Sequence, residues 1–155
     1  MVAPYLYQGQ IKDLLWRYKF GHGRAAAELM AREVMIQLTA NYDLVTFVPT
    51  AGRRRRQRGY DQAQLLAKAV ARRLGRPCRP LLKRQGQARQ VGATRKQRLI
   101  QAQKSYSYAG PDLTDQQVLL VDDVISTGAT VTACADLLLA NGAAQVDIAA
   151  FAIKS

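Results

Sequence analysis

The chain has 155 residues, of which 48% are apolar, so it is long enough and apolar enough for one domain with a buried core and is not a disordered chain. Its apolar runs are shorter than the ~20 residues needed to cross a bilayer, and its first residues lack a signal-peptide pattern, which together predict a cytoplasmic protein without membrane insertion. The formal net charge of +12 predicts a polyanionic partner, unless the basic residues only form a solvated face.

Two helices are predicted before the first buried strand. The segment "GQIKDLLWRYKFG", residues 9–21, has apolar residues at helical spacing and predicts a short amphipathic helix. The segment "RAAAELMAREVMIQL", residues 24–38, predicts a second helix that turns Leu29, Val34 and Leu38 toward the core.

A strand and a capped helix follow. The short apolar run "LVTFVP", residues 44–49, ends at proline and predicts a buried strand. The segment "YDQAQLLAKAVARRLG", residues 60–75, predicts a helix that begins with a capping box of Asp61 and Gln64 and ends at Gly75.

The rest of the chain alternates between predicted strands and helices. Residues 79–83, "RPLLK", predict a short strand, whereas residues 84–105 are polar, basic and weakly patterned. The run "VLLV", residues 118–121, is typical of a parallel strand covered on both faces. A helix over Ala129–Ala140 and a strand over residues 146–153 complete a doubly wound α/β fold, with a mainly parallel sheet flanked by helices.

Charged residues and cysteines are unevenly placed along the sequence. Residues 44–111 contain seventeen Lys and Arg against one acid, whereas from Asp112 onward there are six Asp and one Lys. Cys78 and Cys134 are far apart, which argues against a disulfide framework or a zinc ribbon and fits a reducing compartment.

Two adjacent carboxylates, Asp122 and Asp123, follow the predicted strand at residues 118–121. Ligands of doubly wound sheets bind at the carboxyl ends of the strands, where an acidic residue often accepts hydrogen bonds from ribose hydroxyls. Two neighbouring carboxylates suit a vicinal diol, so this position predicts a binding site for the 2′- and 3′-hydroxyls of a ribose.

The next residues, "ISTGAT", predict a phosphate site. Backbone N–H groups at a helix N-terminus bind anions, Ser126, Thr127 and Thr130 add hydroxyl donors, and Gly128 lets the backbone approach a ligand closely. The carboxylates and this turn together predict a sugar with a 5′-phosphate; the alternative is an ordinary strand-to-helix turn with a capping hydroxyl.

The whole segment "VLLVDDVISTGAT" closely resembles the 5-phosphoribosyl 1-pyrophosphate (PRPP) motif of type I phosphoribosyltransferases. The resemblance implies a small N-terminal hood region beside the sheet. It implies that the ribose of PRPP binds to Asp122 and Asp123, and that its 5′-phosphate binds to Ser126, Thr127, Gly128, Ala129 and Thr130. It further implies Mg²⁺ as cofactor, held mainly by PRPP, with the two carboxylates as candidate ligands.

Two further segments, "RGYDQAQLLAKAVARRLG" and "RQVGATRKQR", are similar to the ComF/GntX-like branch of this family. That branch usually carries an N-terminal zinc ribbon, which this sequence lacks, so one phosphoribosyltransferase-like domain is expected over residues 1–155. The resemblance implies a role in competence-type DNA uptake beside an ATP-driven DNA translocase, or in nucleotide metabolism.

The loop "VPTAGRRRRQRG" is the pyrophosphate site that the resemblance implies, through Thr50, Ala51, Gly52 and Arg53. Arg53 and Arg58 can offer forked donors to phosphate oxygens; the alternative is a solvated arginine run. The basic segment 83–104 is the expected lid over the site, with contacts from Gln90, Arg95 and Arg98; the alternative is a disordered basic loop.

Two hypotheses for function follow from the sequence. The first is an enzyme that transfers phosphoribosyl from PRPP to a nitrogenous acceptor. The second is a non-catalytic module that senses PRPP or binds single-stranded DNA, for which the basic centre predicts a strong salt dependence. The acceptor, the general base and the formation of a homodimer stay open at the level of sequence.

Overall fold

The structure is a computed structural model that describes residues 1–20, 23–52, 56, 59–85 and 103–154. The N-terminal part forms β1 (Tyr5–Leu6), α1 (Gly9–Phe20) and α2 (Gly23–Ile36). The central part forms β2 (Leu44–Phe47), α3 (Gln62–Leu74), β3 (Leu82–Arg84) and β4 (Tyr106–Tyr108). The C-terminal part forms β5 (Gln117–Ile125), α4 (Ala129–Ala140) and β6 (Gln145–Ile153).

The main sheet has four strands in the order β1-β6-β5-β2, and all of its neighbouring pairs are parallel. Parallel neighbours need long crossovers, so strands that are adjacent in the sheet are distant in sequence. At the start of β5, for example, the Gln117 N–H donates to Asp43 Oδ2 across a separation of 74 residues. The sheet confirms the predicted doubly wound, mainly parallel fold.

Both faces of the sheet are covered, because β5 directs its apolar residues alternately to each face. Leu119 and Val121 pack with α1, α2 and α3 on one face, where Met30 and Leu66 are fully buried. Leu120 packs on the other face with α4 and with the antiparallel pair β3–β4. This arrangement explains why residues 118–121 are apolar without interruption.

Helix α3 begins and ends as its sequence predicts. Asp61 is the N-cap and its side chain accepts the Gln64 N–H, while Gly75 is the C-cap in the left-handed region, with φ 65°. Glycine carries no Cβ and adopts this conformation without strain, so it ends the helix at low cost. Helix α3 therefore has fixed ends on the face of the sheet.

Two local expectations are corrected. Leu29 is 49% exposed rather than turned toward the core, because the inward face of α2 is formed by Ala27, Met30, Ala31 and Val34. The strand expected at residues 118–121 continues to Ile125, since its pairing with β6 reaches that residue. Strands β1 and β4, which are only two and three residues long, were not predicted. No helix in the described part of the chain is long and apolar enough to cross a membrane.

Candidate functional site

Asp122 and Asp123 lie at the rim of the main sheet, beyond the end of a neighbouring strand. The pairing of β2 with β5 ends at Phe47 and Val121. Strand β5 continues beside β6, where Asp122 is level with Ala150. Because β2 has already ended, one side of this part of β5 is open to the loop that follows β2. The chain thus brings the predicted carboxylate pair to the carboxyl edge of the sheet.

The two carboxylates are held by the backbone next to them. The Asp123 N–H donates to Asp122 Oδ1 at 2.8 Å, and the Val124 N–H donates to Asp123 Oδ1 at 3.0 Å. Loss of hydration on burial is the largest cause that raises the pKa of Asp122 well above its usual range, and the neighbouring charge of Asp123 adds to it. A carboxyl group with a raised pKa beside a second carboxylate is frequent at ligand-binding and catalytic sites.

The turn from β5 to α4, residues 126–130, is called the phosphate turn below. Its residue Gly128 is the N-cap of α4, has φ 77° and makes no side-chain capping hydrogen bond. A Cβ placed on Gly128 would meet no atom within 4 Å, so the space above this backbone is open. The N-terminus of α4 therefore has no side-chain cap of its own and offers its backbone N–H groups to an anion.

A pocket of about 270 Å³ joins the carboxylates to the phosphate turn. It is lined by Asp122, Asp123, Ser126 and Thr130, together with residues of other segments. A side pocket of about 40 Å³ lies against α4 and is lined by Asp122, Ser126, Gly128 and Thr130. Of the remaining predicted residues in this turn, Thr127 is exposed and Ala129 is half-buried, and neither lines these pockets.

The loop after β2 forms another part of the pocket. Thr50 lines it, as does Gln62 at the first turn of α3, but Ala51 and Gly52 do not. Asp61 lies just behind this part of the pocket, where Oδ2 accepts the Thr50 N–H at 2.7 Å and Oδ1 accepts the Thr50 hydroxyl at 3.1 Å. The backbone donor of Thr50 is thus engaged inside the protein.

The pocket residues that sequence reasoning missed include two aromatic and two cationic side chains, those of Tyr7, Tyr106, Arg84 and Lys154. Arg84 Nη1 donates to the Tyr106 hydroxyl at 3.1 Å, and burial raises the pKa of Tyr106 to about 12, so this phenol is neutral at physiological pH. The Lys154 ammonium lies 4.7 Å from the centre of the Tyr7 ring. The pocket therefore has cationic groups as well as carboxylates, and no local motif in the sequence predicts this.

Five predicted residues lie outside the described residues: Arg53 and Arg58 of the loop after β2, and Gln90, Arg95 and Arg98 of the expected lid. Their roles remain predictions.

The pocket can hold a magnesium ion only if a bound ligand supplies some of the atoms that coordinate the metal. The described residues contain no cluster of three or more His, Cys, Asp or Glu side chains that could hold a metal ion alone. Mg²⁺ commonly binds through one or two carboxylates and the phosphates of a substrate, keeping several waters. Asp122 and Asp123 supply two carboxylates in the pocket, which matches this mode of binding.

The family of this chain follows from a match that includes the whole β5–α4–β6 segment. Residues 61–155 match the family model described as "Phosphoribosyl transferase domain". The chain therefore belongs to the phosphoribosyltransferase domain family, and the family resemblance predicted from its sequence is confirmed.

Relatives of the chain carry the name "DNA utilization protein YhgH". The protein from Salmonella typhi is 30% identical over 132 residues, which cover 80% of this chain and 57% of that relative. The protein from Escherichia coli strain K12 is 27% identical over 154 residues, covering 92% of this chain and 66% of the relative. The chain thus spans between about half and two thirds of the length of these proteins.

Solved structures agree with the fold. The crystal structure of adenine phosphoribosyltransferase from Thermoanaerobacter pseudethanolicus superposes with a TM-score of 0.56 at 19% sequence identity. The superposition covers 94% of this chain and 86% of that enzyme. At this identity the likeness concerns the fold and not the substrate.

Proposed function

We propose that this protein binds PRPP together with Mg²⁺ and transfers the phosphoribosyl group to a nitrogenous acceptor. The observation that carries the proposal is the convergence of Asp122, Asp123 and the phosphate turn on one pocket at the carboxyl edge of a parallel sheet. Membership of the phosphoribosyltransferase domain family supports the choice of PRPP as the ligand.

Each chemical group of PRPP has a complementary part of the pocket. The ribose hydroxyls donate hydrogen bonds to Asp122 and Asp123. The 5′-phosphate occupies the side pocket at the N-terminus of α4, where the helix dipole and the hydroxyls of Ser126 and Thr130 favour an anion. The pyrophosphate then extends from the ribose toward Arg84, whose planar guanidinium suits phosphate oxygens.

The reaction breaks the bond between C1 of the ribose and the pyrophosphate oxygen and forms a bond between C1 and a nitrogen of the acceptor. Pyrophosphate leaves with the bonding electron pair, the acceptor nitrogen donates its lone pair to C1, and the acceptor loses a proton. Bound Mg²⁺ would supply positive charge to the leaving pyrophosphate. The residues of the pocket hold the ribose and both phosphate ends, and Arg84 adds a cation near the leaving group.

The test is a calorimetric titration of PRPP into the protein with and without Mg²⁺, followed by the double variant Asp122→Asn and Asp123→Asn. We expect Mg²⁺-dependent binding that the double variant abolishes. A matched control is Asp136→Asn, which also neutralises a carboxylate but on the exposed face of α4. Full PRPP affinity in the double variant would show that the carboxylates do not hold the ligand. Nucleobases are then screened as acceptors by release of pyrophosphate.

A second candidate function is a non-catalytic module that senses PRPP or binds single-stranded DNA beside a DNA translocase. It is favoured by the exposed basic residues Lys68, Arg76, Arg79 and Lys83 near α3 and β3. The name of the YhgH relatives, which refers to DNA utilization, agrees with it. Measured by fluorescence anisotropy, binding of a single-stranded oligonucleotide should weaken steeply with salt and survive the Asp122 and Asp123 substitutions.

A further inference from the structure

Asp61 is a buried carboxylate that joins two segments of the pocket. It is 4% exposed, and its hydrogen bonds go to two different elements. At the start of α3 its Oδ1 accepts the Gln64 N–H at 3.3 Å. Toward the loop after β2, it accepts both the N–H and the hydroxyl of Thr50, at 2.7 and 3.1 Å. Ordinary helix capping requires only the first of these contacts.

The segments that Asp61 joins supply part of the pocket lining that remains once the ribose and its 5′-phosphate are assigned to the two carboxylates and the phosphate turn. Val48, Pro49 and Thr50 line the pocket from the loop after β2. Gln62, next to Asp61 and only 1% exposed, lines it from α3. Strand β2 ends at Phe47, so Thr50 lies beyond the paired part of the sheet. Its hydrogen bonds to Asp61 fix the backbone at the point where the chain leaves the sheet and enters the loop.

We propose that Asp61 is a positioning residue for the leaving-group side of the pocket. It holds Thr50 against the N-terminus of α3, so that this part of the pocket is already in place when the pyrophosphate of PRPP arrives. Preorganisation of this kind favours binding because the ordering has been completed before the ligand binds. The inference rests on the proposed function, since it assigns a role within the PRPP site.

Replacing Asp61 by asparagine distinguishes its role as the cap of α3 from its role in holding Thr50. Asn and Asp are about equally good N-caps, so Asp61→Asn retains the bond to the Gln64 N–H. Its amide nitrogen then replaces Oδ2 and faces the Thr50 N–H, which places two donors against each other and removes the backbone bond. Asp61→Ser is a second variant, because serine also caps helices but its shorter side chain does not reach Thr50.

The experiment measures two ligands by calorimetry: PRPP with Mg²⁺, and ribose 5-phosphate, which lacks the pyrophosphate. For Asp61→Asn and Asp61→Ser we expect PRPP affinity to fall roughly tenfold, while the affinity for ribose 5-phosphate stays unchanged. The matched control is Asp43→Asn, which removes a carboxylate oxygen that accepts the Gln117 N–H at the opposite end of the β2–β5 pair. It should change neither affinity.

Three outcomes would overturn the inference. An unchanged PRPP affinity in both Asp61 variants would remove it while leaving the proposed function in place. An equal loss of affinity for PRPP and for ribose 5-phosphate would show that Asp61 has a general structural role and does not specifically position the leaving-group side of the pocket. Failure of the unaltered protein to bind PRPP would remove the proposed function and this inference with it.

Discussion

The two strand-to-helix connections at the carboxyl edge of the sheet differ in how the N-terminus of the helix is capped. Where β2 leads to α3, the N-cap Asp61 places a carboxylate on the helix and accepts the Gln64 N–H. Where β5 leads to α4, the N-cap is Gly128, with no capping hydrogen bond from a side chain. Both turns border the same pocket, through Thr50 and Gln62 in one and Ser126 and Thr130 in the other.

This difference indicates which helix N-terminus receives an external anion. A helix N-terminus carries partial positive charge and unpaired N–H groups, and either a side chain or a ligand can satisfy them. At α3 the side chain of Asp61 already accepts an N–H group of the first turn, so this helix end does not depend on a ligand for its cap. At α4 the groups remain available, and the small side pocket lies directly against them. This contrast supports the proposal that the 5′-phosphate binds at α4.

The largest effect is expected from Asp61→Ala, which removes the cap and both bonds to Thr50. We expect the free energy of unfolding to fall by about 2–4 kcal/mol, from the lost cap and the half-buried Thr50 N–H left without its acceptor. Urea denaturation followed by circular dichroism measures it. Asp61→Ser should recover the capping part of the loss, and a loss below about 1 kcal/mol for Asp61→Ala would contradict this account.

Gly128→Asp would make the α4 turn resemble the α3 turn by giving it a carboxylate. We expect the affinity for ribose 5-phosphate to fall by roughly tenfold to a hundredfold, because the new charge repels the phosphate and competes for the N–H groups. Gly128→Asn is the control, since Asn tolerates the positive φ about as well as Asp but carries no charge. Equal affinities in the two variants would mean that the phosphate does not bind at this helix end.

Gly75→Ala and Gly128→Ala form a matched pair. Both glycines lie in the left-handed region, with φ 65° and 77°, and a Cβ on either would meet no atom within 4 Å. Each substitution should cost about 1 kcal/mol of unfolding free energy through backbone strain alone. Only Gly128→Ala should also weaken binding of ribose 5-phosphate, because its Cβ would occupy the space beside the side pocket. Weaker binding of ribose 5-phosphate by Gly75→Ala as well would argue that the loss in Gly128→Ala does not come from its place beside the side pocket.

The smallest expected effect is a gain in stability, whereas the substitutions above lower stability or affinity. The pKa of Asp122 is raised in the folded protein, so above that pKa the ionised carboxylate destabilises the fold. The penalty is absent below the ordinary carboxyl pKa and grows as pH rises through the raised value. Asp122→Asn removes it, and we expect the midpoint of thermal unfolding of the ligand-free protein to rise by roughly 1–3 °C at pH 7. The gain should shrink as pH falls toward 4, and a gain that grew instead would contradict the raised pKa.

Sequence reasoning succeeded where the signal is local. The uninterrupted apolar run of β5, the cap and stop residues of α3, and the segment that became α4 each depend on a few neighbouring residues. It failed for β1 and β4, since two- and three-residue strands form only because a partner strand is already present. Leu29 was assigned to the wrong side of α2 because alanines, rather than large apolar residues, form much of its inward face.

The residues of the candidate site also fall into a group that the local sequence predicted and a group that it did not. Asp122, Asp123 and the phosphate turn are contiguous in sequence, so the motif predicted that they would lie together. Tyr7, Arg84 and Lys154 lie at or just beyond the ends of three strands that are far apart in the chain, and the topology of the sheets brings them to the same pocket. The second role of Asp61 was also hidden, because capping already explained an acid at the start of a helix.

The order of strands in the main sheet also has a consequence during synthesis. Strand β2 pairs with β5, and Asp43 and Gln117 at the start of this pair are 74 residues apart. At a translation rate of about 5–20 residues per second, β2 waits roughly 4–15 s for its partner to be made. During that interval the four residues of β2, all buried in the folded protein, have no β5 to pair with. The nascent chain is therefore most exposed to aggregation before β5 leaves the ribosome, and a chaperone that binds apolar segments would act in that window.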